Sequence, residues 1–98
     1  MRIITESRLI AFWKEHPDAE VPLKVWRKVV RAKKYQNPHE VRKDFPAVDF
    51  LGNNVTVFDI GGNKYRLVVS MRYDMQHVYI RHVVTHEEYD RLTEQDLL

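Results

Sequence analysis

The clearest pattern in the chain lies between Asn54 and Leu92, NVTVFDI-GG-NKYRLVVSM-RYDMQ-HVYIRHVV-THEEYDRL. Three runs rich in Val, Ile, Tyr and Phe are separated by turn-forming residues, and a short helix signal follows the last. The Gly61–Gly62 pair predicts a two-residue hairpin, because glycine accepts the positive φ of primed turns. This sets Ile60 opposite Asn63, Asp59 opposite Lys64, Phe58 opposite Tyr65 and Val57 opposite Arg66, and directly opposed residues share a face. One face then collects Phe58, Ile60, Tyr65, Leu67, Val69 and Met71. The other collects Asp59, Lys64, Arg66 and Ser70, with Val55, Val57 and Val68 beside them. Alternation in the third strand puts Val78, Ile80 and Val84 on the apolar side and His77, Tyr79 and Arg81 on the polar side. The expected sheet is greasy on one face and cationic on the other.

Upstream, Met1–Ile4 is short and apolar enough to add an edge strand. Thr5 is placed to cap a first helix, with Glu6 in its first turn. Leu9, Phe12, Trp13 and His16 recur at helical spacing, and the helix must stop near His16 because the residue before Pro17 is pushed out of helical geometry. Asp18 is placed to cap a second helix, whose first turn tolerates Pro22. Trp26, Val29 and Val30 form its apolar stripe, with Leu23 and Val25 at the edges. Asn37-Pro38-His39-Glu40 reads as a cap, a proline at the first helical position and a glutamate two further on. Thr85-His86-Glu87-Glu88 is a capping box, so the last helix should begin at His86 and reach about Leu92. The order β-α-α-(turn)-β-β-β-α describes an α+β fold, with two helices on the apolar face of an antiparallel sheet.

Composition narrows the function. At 98 residues the chain is expected to form one domain, residues 1–98, without disulfides, since it has no cysteine. The N-terminus is charged too early for a secretory signal and no stretch approaches a membrane span, so the expected location is cytoplasmic, with no membrane partner. Net charge is only +2. Its distribution is uneven: Lys24 to Lys43 holds eight basic residues and one acid, whereas Glu87 to Leu98 holds five acids and one arginine. A basic middle points to an anionic partner. Lys24, Arg27, Lys28 and Arg31 recur at i, i+3, i+4 and i+7, which makes either a solvated helix face or a track for RNA phosphates.

The candidate chemistry sits on the polar sheet face. Arg66 and Arg81 fall on adjacent strands, with Lys64 one pleat from Arg66. His86 and Tyr89, three residues apart, share a helix face and follow the third strand directly. Such a set suits metal-free cleavage of RNA by its own 2′-hydroxyl: a base removes the hydroxyl proton, an acid protonates the leaving 5′-oxygen and arginines stabilise the phosphorane. Histidine is the natural acid or base near neutral pH. Tyr89 and Lys64 either share the proton transfers or hold the RNA. Each residue also has a plainer role, Arg66 as partner of Asp59 and His86 as part of a capped helix start. No metal site is expected, because His82 and His86 span a strand–helix junction and no acidic cluster completes a ligand set.

The run FDIGGNKYRLVV, followed by YIRHVVTHEEYD, closely resembles the HigB-type toxins of bacterial type II toxin–antitoxin systems, within the RelE superfamily. The resemblance extends from the MRIIT opening through FPAVDF to the THEEYD ending. It implies a RelE-like fold, with a small antiparallel sheet, two N-terminal helices and a short C-terminal helix. It also implies a metal-independent and cofactor-independent mRNA interferase that acts at the ribosome and is neutralised by a HigA-type helix-turn-helix antitoxin. The motif carries over onto Asn63, Arg66, Arg81, His86 and Tyr89, with Lys64 at a position of varying chemistry, and leaves open which group is acid or base. The alternative is a non-catalytic RNA- or ribosome-binding module using Lys24, Arg27, Lys28 and Arg31.

Overall fold

A computed structural model describes residues 1–98. The elements in order are β1 (Arg2–Ile4), α1 (Ser7–Glu15), a 3-10 turn (Pro17–Ala19), α2 (Glu20–Ala32), α3 (Pro38–Asp44), β2 (Asp49–Phe50), β3 (Val55–Ile60), β4 (Tyr65–Arg72), β5 (His77–Thr85), α4 (His86–Arg91) and α5 (Glu94–Leu97). The strands form one five-stranded sheet in the order β1-β5-β4-β3-β2. The fold is α+β as expected, but the sheet is mixed: β1 runs parallel to β5. No helix is long and apolar enough to cross a membrane.

Alternation sorts the strands into two layers. Phe58, Ile60, Tyr65, Leu67, Val69, Met71, Val78 and Ile80 join Leu9 of α1, Leu23, Trp26 and Val30 of α2, and Val41 of α3 in the main core. Phe58 anchors it, meeting Trp26 and Phe45 edge-on at ring separations of 5.5 and 4.9 Å. Each such pair adds about 0.5–1.5 kcal/mol beyond the area it buries. On the opposite face Val55, Val57 and Val68 form a small second cluster, capped by Leu51, Tyr89 and Leu97. The C-terminal helices therefore lie across the face that carries the arginines.

Several local expectations are corrected. The Gly61–Gly62 hairpin is wider than two residues: Ile60 pairs with Tyr65, Asp59 with Arg66 and Phe58 with Leu67, leaving Gly61–Lys64 as a four-residue loop. Both glycines do hold positive φ, 63° and 70°. The loop opens because Asn63 and Lys64 are drawn to other partners, Arg66 and Asp18. The change of register is two residues, so every side chain that stays in a strand keeps its face.

In β5 the opposite happens. Val69 pairs with Ile80 but Val68 with His82, so Arg81 is an extra residue, a β-bulge. Beyond it the alternation inverts, and Val83 rather than Val84 faces the main core.

Thr5 does not cap α1; it turns the chain at φ 70°, and the Glu6 carboxylate pairs with Arg31. Nor does Asp18 cap α2, because its carboxylate accepts from the Tyr65 hydroxyl and pairs with Lys64. Within α2, Val25 of the expected apolar edge is 56% exposed. The Asn37 cap and the Thr85–Glu88 capping box form as read.

Candidate active site

Arg66 is the hub. It stands opposite Asp59 on β3 and Val84 on β5, and its side chain is only 11% exposed. A guanidinium has five N–H donors, and here each end of the fork is engaged. Nε pairs with Asp59 Oδ1 at 3.2 Å. Nη1 donates to the carbonyls of Asn63 (3.4 Å) and Tyr65 (3.2 Å), and Nη2 donates to Asn63 Oδ1 at 2.6 Å. The last contact is between Nη2 and His86 Nδ1, at 2.9 Å. The positive φ values at Gly61 and Gly62 bring Asn63 back over β4 to meet it.

His86 is held by backbone as well as side chain. Its N–H donates to the Lys64 carbonyl, and the Thr85–Glu88 capping box fixes the first turn of α4 beneath it. Arginine can only donate, so Nδ1 accepts and the ring proton resides on Nε2. That nitrogen lies 3.3 Å from Asp90 Oδ2, one turn along the helix. Arg66 thus holds Nδ1 as an acceptor while Nε2 faces the Asp90 carboxylate, with the His86 side chain 39% exposed.

Tyr89 backs the hub rather than entering the open cleft. Its ring packs on the Val55–Val57–Val68 cluster, with the Arg66 guanidinium 5.9 Å from its centroid. Burial, with Asp49 assisting, raises the phenol above its ordinary range, so it stays protonated at neutral pH. His86 instead opens onto a cleft of about 750 Å³ between the hairpin loop, the 3-10 turn and α4, lined also by His16, Asp18, Asn63 and Lys64.

Other expected residues lie apart. Lys64 is not on the polar strand face: it is in the widened loop, 3.0 Å from Asp18 on the far wall of that cleft. Arg81, shifted by the bulge, lines a different pocket of about 710 Å³ with Ser70, Arg72, Tyr79, Asn53 and Asn54. Its side chain forms no ion pair, while its carbonyl accepts from Arg8. Lys24, Arg27, Lys28 and Arg31 line a shallow groove on the outer face of α2, across the main core from Arg66. Two of them are paired, Lys24 with Glu20 and Arg31 with Glu6, and Lys24 and Arg27 sit over the Trp13 ring. His82 Nε2 meets the Asp96 carbonyl oxygen at 3.0 Å, and no group of three His, Cys, Asp or Glu side chains is arranged to hold a metal ion.

Asp59 and Asp90 were not singled out from the sequence as parts of the site. The i, i+4 spacing of His86 and Asp90 was visible in THEEYD; the Asp59–Arg66 contact was read there only as an ordinary pair.

Residues 19–92 match the family model HigB_toxin, described as the RelE-like toxic component of a toxin–antitoxin system. The chain is 30% identical over 96 residues to the mRNA interferase toxin HigB of Escherichia coli strain K12, covering 95% of this chain and 91% of that protein. An mRNA interferase HigB from Shigella flexneri gives the same figures. That of Escherichia coli O6:H1 is 27% identical over 95 residues, covering 95% of this chain and 92% of its own length.

Proposed function

The chain belongs to the HigB toxin family, the RelE-like toxic components of toxin–antitoxin systems, and on that footing we propose that it is an endoribonuclease that cuts mRNA without a metal and so arrests translation. The observation that carries this reading is the Arg66–His86 contact of 2.9 Å at the wall of an open cleft. Around it the chain supplies a buried cation, an imidazole of fixed tautomer and room for a nucleotide.

In the proposed reaction a phosphate oxygen competes with His86 Nδ1 for the Arg66 Nη2 proton. Once displaced, Nδ1 presents a free lone pair while Asp90 keeps the other proton on Nε2. That is the arrangement of a carboxylate-oriented imidazole base. Nδ1 removes the 2′-hydroxyl proton, the 2′-oxygen attacks phosphorus, and the P–O5′ bond breaks as O5′ takes up a proton. The products are a 2′,3′-cyclic phosphate and a 5′-hydroxyl. Arg66 keeps its charge beside the phosphorane, where preorganised electrostatics count most. Asn63 and Tyr89 hold Arg66 in place, and Arg81 with Tyr79 extends the RNA path along the polar face.

The proposed partners are mRNA, the ribosome and a HigA-type helix-turn-helix antitoxin, in the cytoplasm. A second reading, a binding module without catalysis, is favoured by the basic groove of α2, which needs no chemistry to be useful. Purified protein, translating ribosomes and labelled mRNA separate the two. Discrete cuts that vanish in His86→Gln support the enzyme; retention of RNA with no cuts by the parent protein supports the module.

A further inference from the structure

We propose that His16 is the general acid of RNA cleavage, donating the proton that the leaving 5′-oxygen takes up. The inference rests on the cleavage reading above and completes it, since His86, held as a base, leaves the acid unassigned.

Pro17 ends α1 at His16, and the His16 ring stacks on Phe12 at 4.4 Å and leans on Tyr65 at 5.4 Å. Tyr65 closes the set edge-on against Phe12 at 5.2 Å. The imidazole is thereby fixed through its faces, while neither ring nitrogen has a hydrogen-bond partner in the protein. It lines the same cleft as His86, entering from the helical side, and the cleft volume of about 750 Å³ falls in the range of ligand-sized sites.

Of the other titratable groups facing His16, all but Glu87 are committed. From the 3-10 turn, Asp18 accepts from Tyr65 first and Lys64 second, which holds its carboxyl below the usual range. From β4, the Tyr65 hydroxyl is tied to Asp18 and raised. From the hairpin loop, the Lys64 ammonium is paired with Asp18. From α4 come Glu87 and Glu88. Hydrogen bonds to Thr85 hold the Glu88 carboxyl low, with a smaller contribution from the charge of His16. The cleft thus holds two groups of the type that titrates near neutrality, the imidazoles of His86 and His16. One takes a proton and the other gives one.

In the test, ribosomes carry an mRNA whose scissile 5′-oxygen is either normal or replaced by sulfur, a leaving group that needs no protonation. The variants are His16→Phe, which keeps the stack on Phe12, and His16→Gln. On the normal substrate both should lose about 10²–10⁴-fold in single-turnover rate, and the alkaline limb of the pH–rate profile should disappear. On the sulfur substrate both should cut within a few-fold of the parent. The ratio of the two rates within one preparation does not depend on how much of the variant is folded. A ratio equal to the parent's, with the alkaline limb intact, overturns the assignment while leaving the cleavage reading standing. A parent protein that cuts neither substrate overturns both.

Discussion

At the scale of single residues, the site depends on how Arg66 distributes its five donors. Because Asp59, Asn63, Tyr65 and His86 all use them, the side chain sets the geometry of its neighbours as much as it offers charge. Arg66→Ala should therefore cost about 1–3 kcal/mol, as leaving its hydrogen-bond partners unpaired does, and this is measurable as a lowered urea midpoint. His86→Gln keeps an acceptor near Nη2 and should melt within a degree or two of the parent while cutting at least 10²-fold more slowly. Asp90 is 61% exposed and contributes little to folding. Asp90→Asn should leave the melting temperature unchanged but lower the cleavage rate at saturating ribosomes, since the imidazole is no longer held in one tautomer.

At the scale of elements, two devices place those residues: the glycine loop between β3 and β4, and the capped start of α4. Gly61 and Gly62 both stand at positive φ, so alanine at either position is strained and should destabilise by about 1 kcal/mol. Thr85→Ala removes a cap, with a loss of about 1 kcal/mol in chemical denaturation and slower cleavage, because His86 sits on the first turn that Thr85 secures. The capped starts at Asn37 and Thr85 were legible because a cap and its partner lie three residues apart in sequence. The caps assigned to Thr5 and Asp18 failed because tertiary partners outcompeted local ones. Asp18 meets Tyr65 and Lys64, nearly fifty positions away, and no local pattern announces that. The same limit hid His16, which reads only as the last member of the first helix's packing stripe and as its end. The C-terminal α5 was missed although Thr93 and Asp96 form a second capping box.

For the whole molecule, the two-layer arrangement was readable because a two-residue error in hairpin register preserves the face of every side chain that remains in a strand. Arg81 was placed wrongly relative to Arg66 because a bulge leaves no mark in hydrophobic alternation. The global charge pattern also sets a pH window for stability. Asp18 is held low first by the Tyr65 hydroxyl, Asp44 first by the Tyr35 hydroxyl, and Glu88 by hydrogen bonds to Thr85. Their contributions are present above the ordinary carboxylate pKa of about 4 and fade as pH falls through the lower folded values. Tyr35, raised chiefly by burial, and Tyr65, raised chiefly by its bond to Asp18, act at the other end. Their contributions are intact below about pH 10 and lost as pH climbs through the higher folded values. Melting temperature plotted against pH should show a plateau between these limits, and Asp18→Asn should make both flanks shallower.

The kink in β5 makes that strand change phase partway along. Everything after it, including the strand end on which the last helix is mounted, is turned over relative to the first half. If Val83, a paired residue beyond the bulge, were excised, Val84 would swing inward in its place and the imidazole would set out from the wrong side of the sheet. A shortening that an exposed loop would absorb would here leave a chain with ordinary circular dichroism and no way to harm a cell.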